Sequence, residues 1–175
     1  MPPLAVAISG SPRAPSKSKT LADLLLRRFA EGGCETAMID CATLPAEALI
    51  ARAQEGEMDD AIALVGRARI VVAATPTYRA LYTGVLKAFF DLMPQGHLRG
   101  KVCLPVQTGA SNAHFLAIEY GLRPLFESLE GLPVPGVYAT DEQFTDGAPS
   151  PELERRIANV ALAAQTIAGA LGPQV

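Results

Sequence analysis

Short runs of apolar and β-branched residues alternate along the chain with longer segments in which apolar residues recur every three or four positions. The short runs predict strands, and the recurring spacing predicts amphipathic helices. Five short runs occur, at residues 4–8, 35–39, 70–74, 101–106 and 132–138. Because helical segments separate them, the pattern predicts an α/β fold, an open, doubly wound, five-stranded parallel sheet with helices on both faces.

Two of the predicted strands carry signals of their place in the sheet. Residues 70–74 form a continuous apolar run, which is typical of a central strand buried on both faces. Residues 132–138 contain prolines, which cannot donate to a strand ladder and which favour a position at the sheet edge. Helical segments are predicted around residues 21–29, 45–66 with a break near 56, 85–93, 114–129 and 152–171.

The predicted fourth helix contains a break and an outward apolar pair. Leu116 and Tyr120 lie off the apolar stripe that is expected to face the sheet. Pro124 has no N–H to donate to the Tyr120 carbonyl, so the helical ladder breaks there, and a π-bulge is one way to absorb the break. The outward pair suggests a contact between subunits. The stripe expected to face the sheet comprises Phe115, Ile118, Leu122, Leu125 and Leu129.

Composition limits the size and the partners of the protein. The length of 175 residues fits one domain spanning residues 1–175, and 49% hydrophobic with 19% charged residues is typical of soluble globular proteins. A net charge of −3 gives no reason to expect nucleic acid or an anionic membrane as partner. The chain lacks a membrane-spanning apolar run and a signal-type start, so the expected location is the cytoplasm.

Cysteine and histidine residues are too few and too scattered to indicate a metal site. The three cysteines, Cys34, Cys41 and Cys103, show no C-x-x-C spacing, and neither His97 nor His114 is close to one of them in sequence. We therefore predict that no metal ion takes part in the function.

The loop that follows the first predicted strand concentrates hydroxyl groups around Arg13. Residues 9–20 hold four serines and one threonine, at the start of a helix where unpaired N–H groups and the helix dipole favour an anion. A nucleotide triphosphate loop would need glycines in place of Ser11 and Ser16. A dinucleotide fingerprint, G-x-G-x-x-G, would need two further glycines after Gly10, so both motifs are excluded. A phosphate monoester site and a serine-rich helix cap without a ligand both fit this loop.

Three loops are predicted at the carboxyl ends of strands, namely residues 10–18, 76–83 and 108–112. In an open parallel sheet, ligands bind outside these ends, at the point where the strand order reverses. Because all three loops are small and polar and lie at the same edge, the pattern favours a ligand site over the simple helix cap.

Four motifs occur in order between residues 4 and 138. They are Gly10-Ser11-Pro12-Arg13 with Ser16 and Ser18; Pro76-x-Tyr78-x4-Thr83-Gly84-x-Leu86-Lys87-x3-Asp91; Leu98-x-Gly100-Lys101; and Thr108-Gly109 with His114-x-Leu116-Ala117-x2-Tyr120-x-Leu122-x-Pro124. Together they resemble the NAD(P)H-dependent FMN reductases of flavodoxin-like fold. The resemblance is greatest to the branch that supplies reduced FMN to alkanesulfonate monooxygenases.

The resemblance implies three groups of contacts to FMN. The contacts to the phosphate are Ser11, Arg13, Ser16 and Ser18. The contacts along the isoalloxazine are Pro76, Thr77, Tyr78 and Arg79. The contacts to the other edge of the ring are Thr108, Gly109, Ala110 and Ser111. A glycine is common in this branch at the position that Ala110 occupies.

The resemblance also implies that subunits associate through the fourth helix as a homodimer or homotetramer. Tyr120 is then expected in a π-type bulge at the interface, where it influences whether flavin is retained or released. His114, near the start of this helix, has two interpretations, a structural residue and a contact to flavin or to the phosphates of the nicotinamide nucleotide.

The implied activity is reduction of FMN by NADPH or NADH, with the reduced FMN passed to a partner monooxygenase, for example in sulfonate assimilation. Hydride transfer requires close, aligned reactants and stabilisation of the developing negative charge. We expect backbone N–H groups of residues 108–111 to supply that stabilisation, so no catalytic side chain is predicted. The sequence does not distinguish NADPH from NADH as the donor.

Two alternatives stay open beside the leading activity. The first is a reductase that keeps FMN bound and reduces quinones or azo dyes. The second is an electron carrier of the flavodoxin type, which is disfavoured because the chain has no tryptophan, 6% aromatic residues and only a small negative charge.

Overall fold

The predicted alternation of strands and helices is present in the computed structural model, which describes residues 2–53 and 56–172. The strands are β1 Leu4–Ser9, β2 Glu35–Asp40, β3 Ile70–Pro76, β4 Val102–Gly109, β5 Leu132–Pro133, β6 Val137–Thr140, β7 Phe144–Thr145 and β8 Ala148–Pro149. The helices are α1 Lys17–Glu31, α2 Ala46–Leu49, α3 Gly56–Arg67, α4 Gly84–Asp91, the π-helix Ile118–Leu122, α5 Arg123–Ser128 and α6 Pro151–Ala170.

The predicted open parallel sheet is confirmed. Its strands run in the order β2-β1-β3-β4, and β5 and β6 both pair in parallel with β4 on its remaining side. The fifth position is therefore filled by two short strands, separated by a segment that contains Pro135. The strand order reverses between β1 and β3, so a ligand crevice is expected at the carboxyl ends of these strands. β7 and β8 form a small antiparallel hairpin before α6.

Helices cover both faces of the sheet and bury its side chains in two apolar layers. α1 and α6 pack on one face around Phe29, whereas α3, α4 and α5 pack on the other around Phe89 and Phe126. Residues 70–75 of β3 are buried, as expected for a central strand. Burial of each large apolar side chain in these layers contributes about 1.5–3 kcal/mol to the stability of the fold. The well-packed sheet therefore supports the loops at its edges.

The fourth helix, predicted for residues 114–129 with a break before Pro124, begins later than expected. A 3₁₀ turn covers Asn112–His114, the π-helix follows, and α5 begins only at Arg123. The wider π turn absorbs the break that Pro124 imposes, which is the adjustment that the sequence suggested. The prediction that Phe115 faces the sheet is wrong, because this residue lies in the turn that precedes the π-helix and its side chain is 54% exposed. The other four members of the stripe are buried, and Leu116 and Tyr120 are exposed as predicted.

The helix predicted for residues 45–66 is interrupted, as expected near Gly56. α2 ends at Leu49, α3 begins at Gly56, and residues 54 and 55 of the predicted segment lie outside the described residues. Residue 1 and residues 173–175, the ends of the predicted single domain, also lie outside them, so that domain assignment stays a prediction. Among the residues that the structure describes, no helix is long and apolar enough to cross a bilayer.

Candidate functional site

The carboxyl ends of β1, β3 and β4 and the loops that follow them surround a cavity of about 280 Å³, named here the carboxyl-edge cavity. It lies where the strand order reverses, the expected place for a ligand in an open parallel sheet. Its lining residues are Ser11, Arg13, Pro15, Ser16, Lys17, Pro76, Thr77, Tyr78, Thr108, Gly109, Ala110 and Asp141.

The loop after β1 presents hydroxyl groups at the N-terminus of α1. Ser16 is the N-cap of this helix, and its Oγ accepts a hydrogen bond from the Lys19 N–H at 3.3 Å. The Oγ atoms of Ser16 and the buried Ser18 lie 3.0 Å apart. The Ser11 hydroxyl donates to the Arg13 carbonyl at 2.9 Å and so fixes the shape of the loop.

The start of α1 has the electrostatic character of an anion site. Its first turn contains no acidic residue, whereas α3 and α6 carry two each in theirs. Acidic side chains there would complement the helix dipole, so their absence leaves the first amides of α1 open to an external anion. The Arg13 guanidinium lines the same cavity and makes no ion pair with any residue in the described ranges. A phosphate monoester fits these donors.

The loop after β3 begins with a tight hairpin at the mouth of the cavity. Tyr78 and Leu81 exchange two backbone hydrogen bonds of 2.8 and 3.2 Å. Between them, Arg79 and Ala80 both have positive φ, 51° and 67°, as in a type I′ turn, which normally uses asparagine and glycine. Left-handed backbone at such residues is strained and is found often at binding sites. The turn places the Tyr78 ring at the rim of the cavity and leaves Arg79 outside the lining.

Thr83 ties the second loop to the first. Its hydroxyl donates to the Gly10 carbonyl and accepts from the Leu86 N–H at 3.2 Å, which caps α4. Its own N–H donates to Thr75 Oγ1 at 3.1 Å. One buried side chain therefore sets the distance between two loops of the cavity and the start of a helix.

The loop after β4 approaches the other two loops closely because Gly109 has no side chain. A Cβ atom at this position would lie 2.1 Å from Tyr138 Oη and 3.2 Å from Thr77 Oγ1. Tyr138 Oη donates to the Ser111 carbonyl at 3.0 Å, and the Thr77 N–H donates to the Thr108 carbonyl at 2.6 Å. Hydrogen bonds from Tyr138 and from Thr77, the residue after β3, thus hold the loop in place.

The structure brings most of the sequence-predicted site residues together. Nine of the twelve line the carboxyl-edge cavity. Ser18 contacts Ser16, Arg79 is exposed in the hairpin, and the Ser111 hydroxyl accepts a hydrogen bond from the Ala113 N–H at 3.4 Å. These three residues are close to the cavity but outside its lining.

Sequence reasoning missed three lining residues, Pro15, Lys17 and Asp141. Lys17 Nζ and the Asp141 carboxylate form an ion pair of 2.9 Å, and the same ammonium lies 5.5 Å from the centre of the Phe144 ring. Asp141 directly follows β6, so its position at the carboxyl end of a strand was a usable signal. The Lys17 contact joins distant parts of the chain and has no local signal.

The remaining reactive side chains lie outside the cavity. Burial raises the pKa of the Cys41 and Cys103 thiols to about 12, so both stay protonated at neutral pH. His114 is exposed in its 3₁₀ turn and outside the lining, and both of its interpretations remain predictions. Within residues 2–53 and 56–172, no group of three or more His, Cys, Asp or Glu side chains is arranged to hold a metal ion.

Comparison with known proteins links this geometry to one family. The model of the family described as NADPH-dependent FMN reductase matches residues 3–146. The FMN reductase (NADPH) of Escherichia coli K12 is 34% identical over 143 residues, which are 81% of this chain and 75% of that protein. The NADH-dependent FMN reductase SfnE of Pseudomonas putida is 32% identical over 165 residues, which are 91% of this chain and 84% of that protein.

Solved structures agree with the sequence matches. The apo form of an NADH:FMN oxidoreductase, EMOB, superposes with a TM-score of 0.87 at 33% identity, covering 98% of this chain and 91% of that one. A flavodoxin from Streptococcus pneumoniae superposes with a TM-score of 0.64 at 16% identity, covering 94% of this chain and 99% of that one. The second likeness shows the fold alone, which is flavodoxin-like.

Proposed function

This chain belongs to the NADPH-dependent FMN reductase family, and on that premise we propose that it transfers a hydride from NADPH or NADH to FMN held in the carboxyl-edge cavity. One observation carries the proposal. The serine-and-arginine loop at the N-terminus of α1 meets the two other strand-end loops around a single cavity. A phosphate at one end and a flat ring along the other two loops fit this arrangement.

The phosphate end is formed by hydroxyl, amide and guanidinium donors. In the proposal, Ser11, Arg13, Ser16 and Ser18 hold the FMN phosphate, with Ser18 fixing the direction of the Ser16 hydroxyl through their 3.0 Å contact. Charge-assisted hydrogen bonds of this kind are roughly twice as strong as neutral ones. The phosphate is therefore the main anchor, and binding at this end positions the ring.

The ring end is formed by the loops after β3 and β4. The proposed contacts along the ring are Pro76, Thr77, Tyr78 and Arg79, and those at its other edge are Thr108, Gly109, Ala110 and Ser111. When bound, FMN supplies the two-electron acceptor of the reaction. The protein contributes alignment and fixed dipoles rather than proton transfer, since hydride transfer to a flavin depends on geometry and on stabilising the charge that develops.

Steady-state kinetics with FMN as the varied substrate tests the proposal. Oxidation of NADPH or NADH should saturate at micromolar FMN, and the purified protein should lose its flavin on dilution. A protein that neither binds FMN nor oxidises either nucleotide in its presence contradicts the proposal. Turnover that needs a second acceptor while the flavin stays bound would instead favour the reductase for quinones or azo dyes.

We also propose that the reduced FMN leaves the enzyme and serves a partner monooxygenase. The support is the resemblance to the branch with that role. Under anaerobic conditions, several equivalents of free FMN should be reduced for each subunit. Reduction that stops at one equivalent would show that the flavin is retained. Reduced nicotinamide nucleotides are cytoplasmic, so the proposal includes a cytoplasmic location.

The exposed side chains of Phe115, Leu116 and Tyr120 form the proposed contact of a homodimer or homotetramer. Tyr120 is 77% exposed within the π-helix, an unusual position for a large aromatic side chain. Tyr120→Ala should lower the mass measured by light scattering and change flavin retention. Leu162→Ala, at an exposed apolar side chain on α6, is the matched control. Unchanged mass and retention in the Tyr120 variant would contradict this part.

A further inference from the structure

Gln107 is a fully buried residue of β4, next to Thr108, which lines the carboxyl-edge cavity. It lies on β4 between Thr75 of β3 and Tyr138 of β6 in the strand register. Its Nε2 donates to Thr77 Oγ1 at 3.0 Å, while its Oε1 has no hydrogen-bond partner among the described residues. A buried acceptor without a partner costs free energy of folding, so a polar residue at this position needs a functional explanation.

The Gln107 amide determines whether the Thr77 hydroxyl can donate a hydrogen bond to a ligand in the cavity. A hydroxyl has one proton and can also accept hydrogen bonds. Because Gln107 Nε2 donates to Thr77 Oγ1, the Thr77 proton points elsewhere, and no residue in the described ranges accepts it. Thr77 lines the cavity. The proton is therefore available to a ligand.

We infer that Gln107 is a positioning residue that orients the Thr77 hydroxyl as a hydrogen-bond donor to an acceptor atom of the flavin ring. This inference rests on the proposed function, because it takes FMN to be the ligand. Reduced flavin as an anion carries more negative charge on its ring acceptors than oxidised flavin, and hydrogen bonds to charged acceptors are the stronger ones. The pair consequently favours binding of reduced FMN and slows its release.

The orientation of the Gln107 amide decides whether the Thr77 hydroxyl donates to the cavity. Exchanging Oε1 and Nε2 by rotation of the amide would make Gln107 the acceptor and Thr77 its donor. The hydroxyl would then offer only lone pairs to the cavity, and a negatively charged ring would be disfavoured. The two orientations thus predict opposite changes in the relative affinity for reduced FMN when Thr77 is replaced.

Three variants test the inference through binding rather than turnover. Thr77→Val removes the hydroxyl with little change of shape, Gln107→Met removes the amide, and the double variant removes both so that no buried amide is left without a partner. Dissociation constants are measured for oxidised FMN by fluorescence quenching and for reduced FMN by anaerobic titration. Gln165→Met, at a partly buried glutamine whose amide donates to the Phe29 carbonyl at the opposite edge of the sheet, is the matched control.

Thr77→Val should weaken binding of reduced FMN about tenfold, the effect of one hydrogen bond to a charged acceptor, and weaken binding of oxidised FMN by less than about twofold. Gln107→Met should shift the same ratio in the same direction, and the double variant should add nothing to Thr77→Val. The control should leave both constants unchanged. Melting temperatures confirm that each variant is folded.

Two other results would overturn the inference. An unchanged or increased relative affinity for reduced FMN in Thr77→Val would show that the hydroxyl does not donate to the ring. Equal losses for both flavin states in Gln107→Met, additive with those of Thr77→Val, would show a purely structural role. Wild-type protein that binds neither state would instead refute the proposed function itself, so the two failures are distinguishable.

Discussion

The two edges of the sheet both carry cavities, and the larger one lies opposite the candidate site. The amino-edge cavity has a volume of about 730 Å³, against about 280 Å³ at the carboxyl edge. Two of its polar side chains, those of Arg69 and Gln165, are engaged with backbone carbonyls. The Arg69 guanidinium donates to the carbonyls of Ala168 at 3.2 and 3.1 Å and of Gly100 at 3.1 Å, and the Gln165 amide donates to Phe29. Size alone therefore does not identify a ligand site.

The direction of the helices explains this difference. α1 begins at the carboxyl edge and α6 ends at the amino edge, where Arg69 contacts the last carbonyls of α6. Helix N-termini attract anions and helix C-termini attract cations. At the amino edge, the C-terminus of α6 therefore binds Arg69 of the same chain. At the carboxyl edge, the Arg13 guanidinium has no anionic partner inside the described ranges, and the first turn of α1 contains no acidic residue. The carboxyl edge thus joins a helix N-terminus to an arginine without an ion pair, whereas the amino edge joins a helix C-terminus to an arginine that is already bound to it.

Replacing an arginine at each edge gives the largest expected contrast. Arg13→Ala should weaken FMN binding about a hundredfold, because a charge-assisted contact to the phosphate is worth about 1.5–3 kcal/mol. Fluorescence titration measures the affinity, and riboflavin, which lacks the phosphate, should bind equally well to both forms. Arg67→Ala, at an exposed arginine of the amino-edge cavity, should leave FMN affinity unchanged. Equal losses in both variants would erase the distinction between the edges.

A methyl group added at each edge gives the next contrast. Gly109→Ala places a Cβ 2.1 Å from Tyr138 Oη, and we expect FMN affinity to fall by about 2 kcal/mol as the loop is displaced. Tyr138→Phe in the same chain should recover part of the loss. Gly32→Ala meets Gln165 Nε2 at the same 2.1 Å, but that amide is the end of a flexible side chain, so FMN affinity should not change. Full affinity in Gly109→Ala would contradict the proposed loop contact.

Arg69 separates stability from binding. Arg69→Met keeps the aliphatic part of the side chain but leaves the carbonyls of Ala168 and Gly100 without their donor, so the free energy of unfolding should fall by about 1–2 kcal/mol. Urea denaturation measures the change, and the FMN dissociation constant at low temperature should be unaltered. A loss of FMN affinity in a folded Arg69→Met protein would mean that the amino edge communicates with the site.

Local sequence patterns predicted the parts of the molecule that local chemistry determines. The apolar run at residues 70–74 became the central strand, and Ser16 of the serine-rich loop caps α1, because strand burial and capping depend on neighbouring residues. The error at Phe115 arose because the apolar spacing extends past the start of the helix, and residue 115 lies in the preceding turn.

The contacts that shape the cavity are long-range and were not predicted. Gln107 and Thr77 are 30 residues apart, and Lys17 at the start of α1 pairs with Asp141, which follows β6. The strained hairpin at Arg79 also had no signal, because neither Arg79 nor Ala80 is a typical residue for a type I′ turn. Such features depend on the finished fold, so a pattern in the chain reveals which loops meet but not how their side chains pair.

Asp141 gives the smallest expected effect and the only increase in affinity. Its carboxylate lines the carboxyl-edge cavity and pairs with Lys17 at 2.9 Å, so it competes with a bound phosphate for that ammonium. Asp141→Asn should strengthen FMN binding about two- to threefold at low ionic strength, because the pair is partly exposed and its energy is small. The gain should shrink as salt is added. Asp91→Asn, in the exposed surface pair with Lys87, is the matched control and should change nothing. A salt-independent gain, or a gain in the control, would mean that Lys17 does not reach the phosphate.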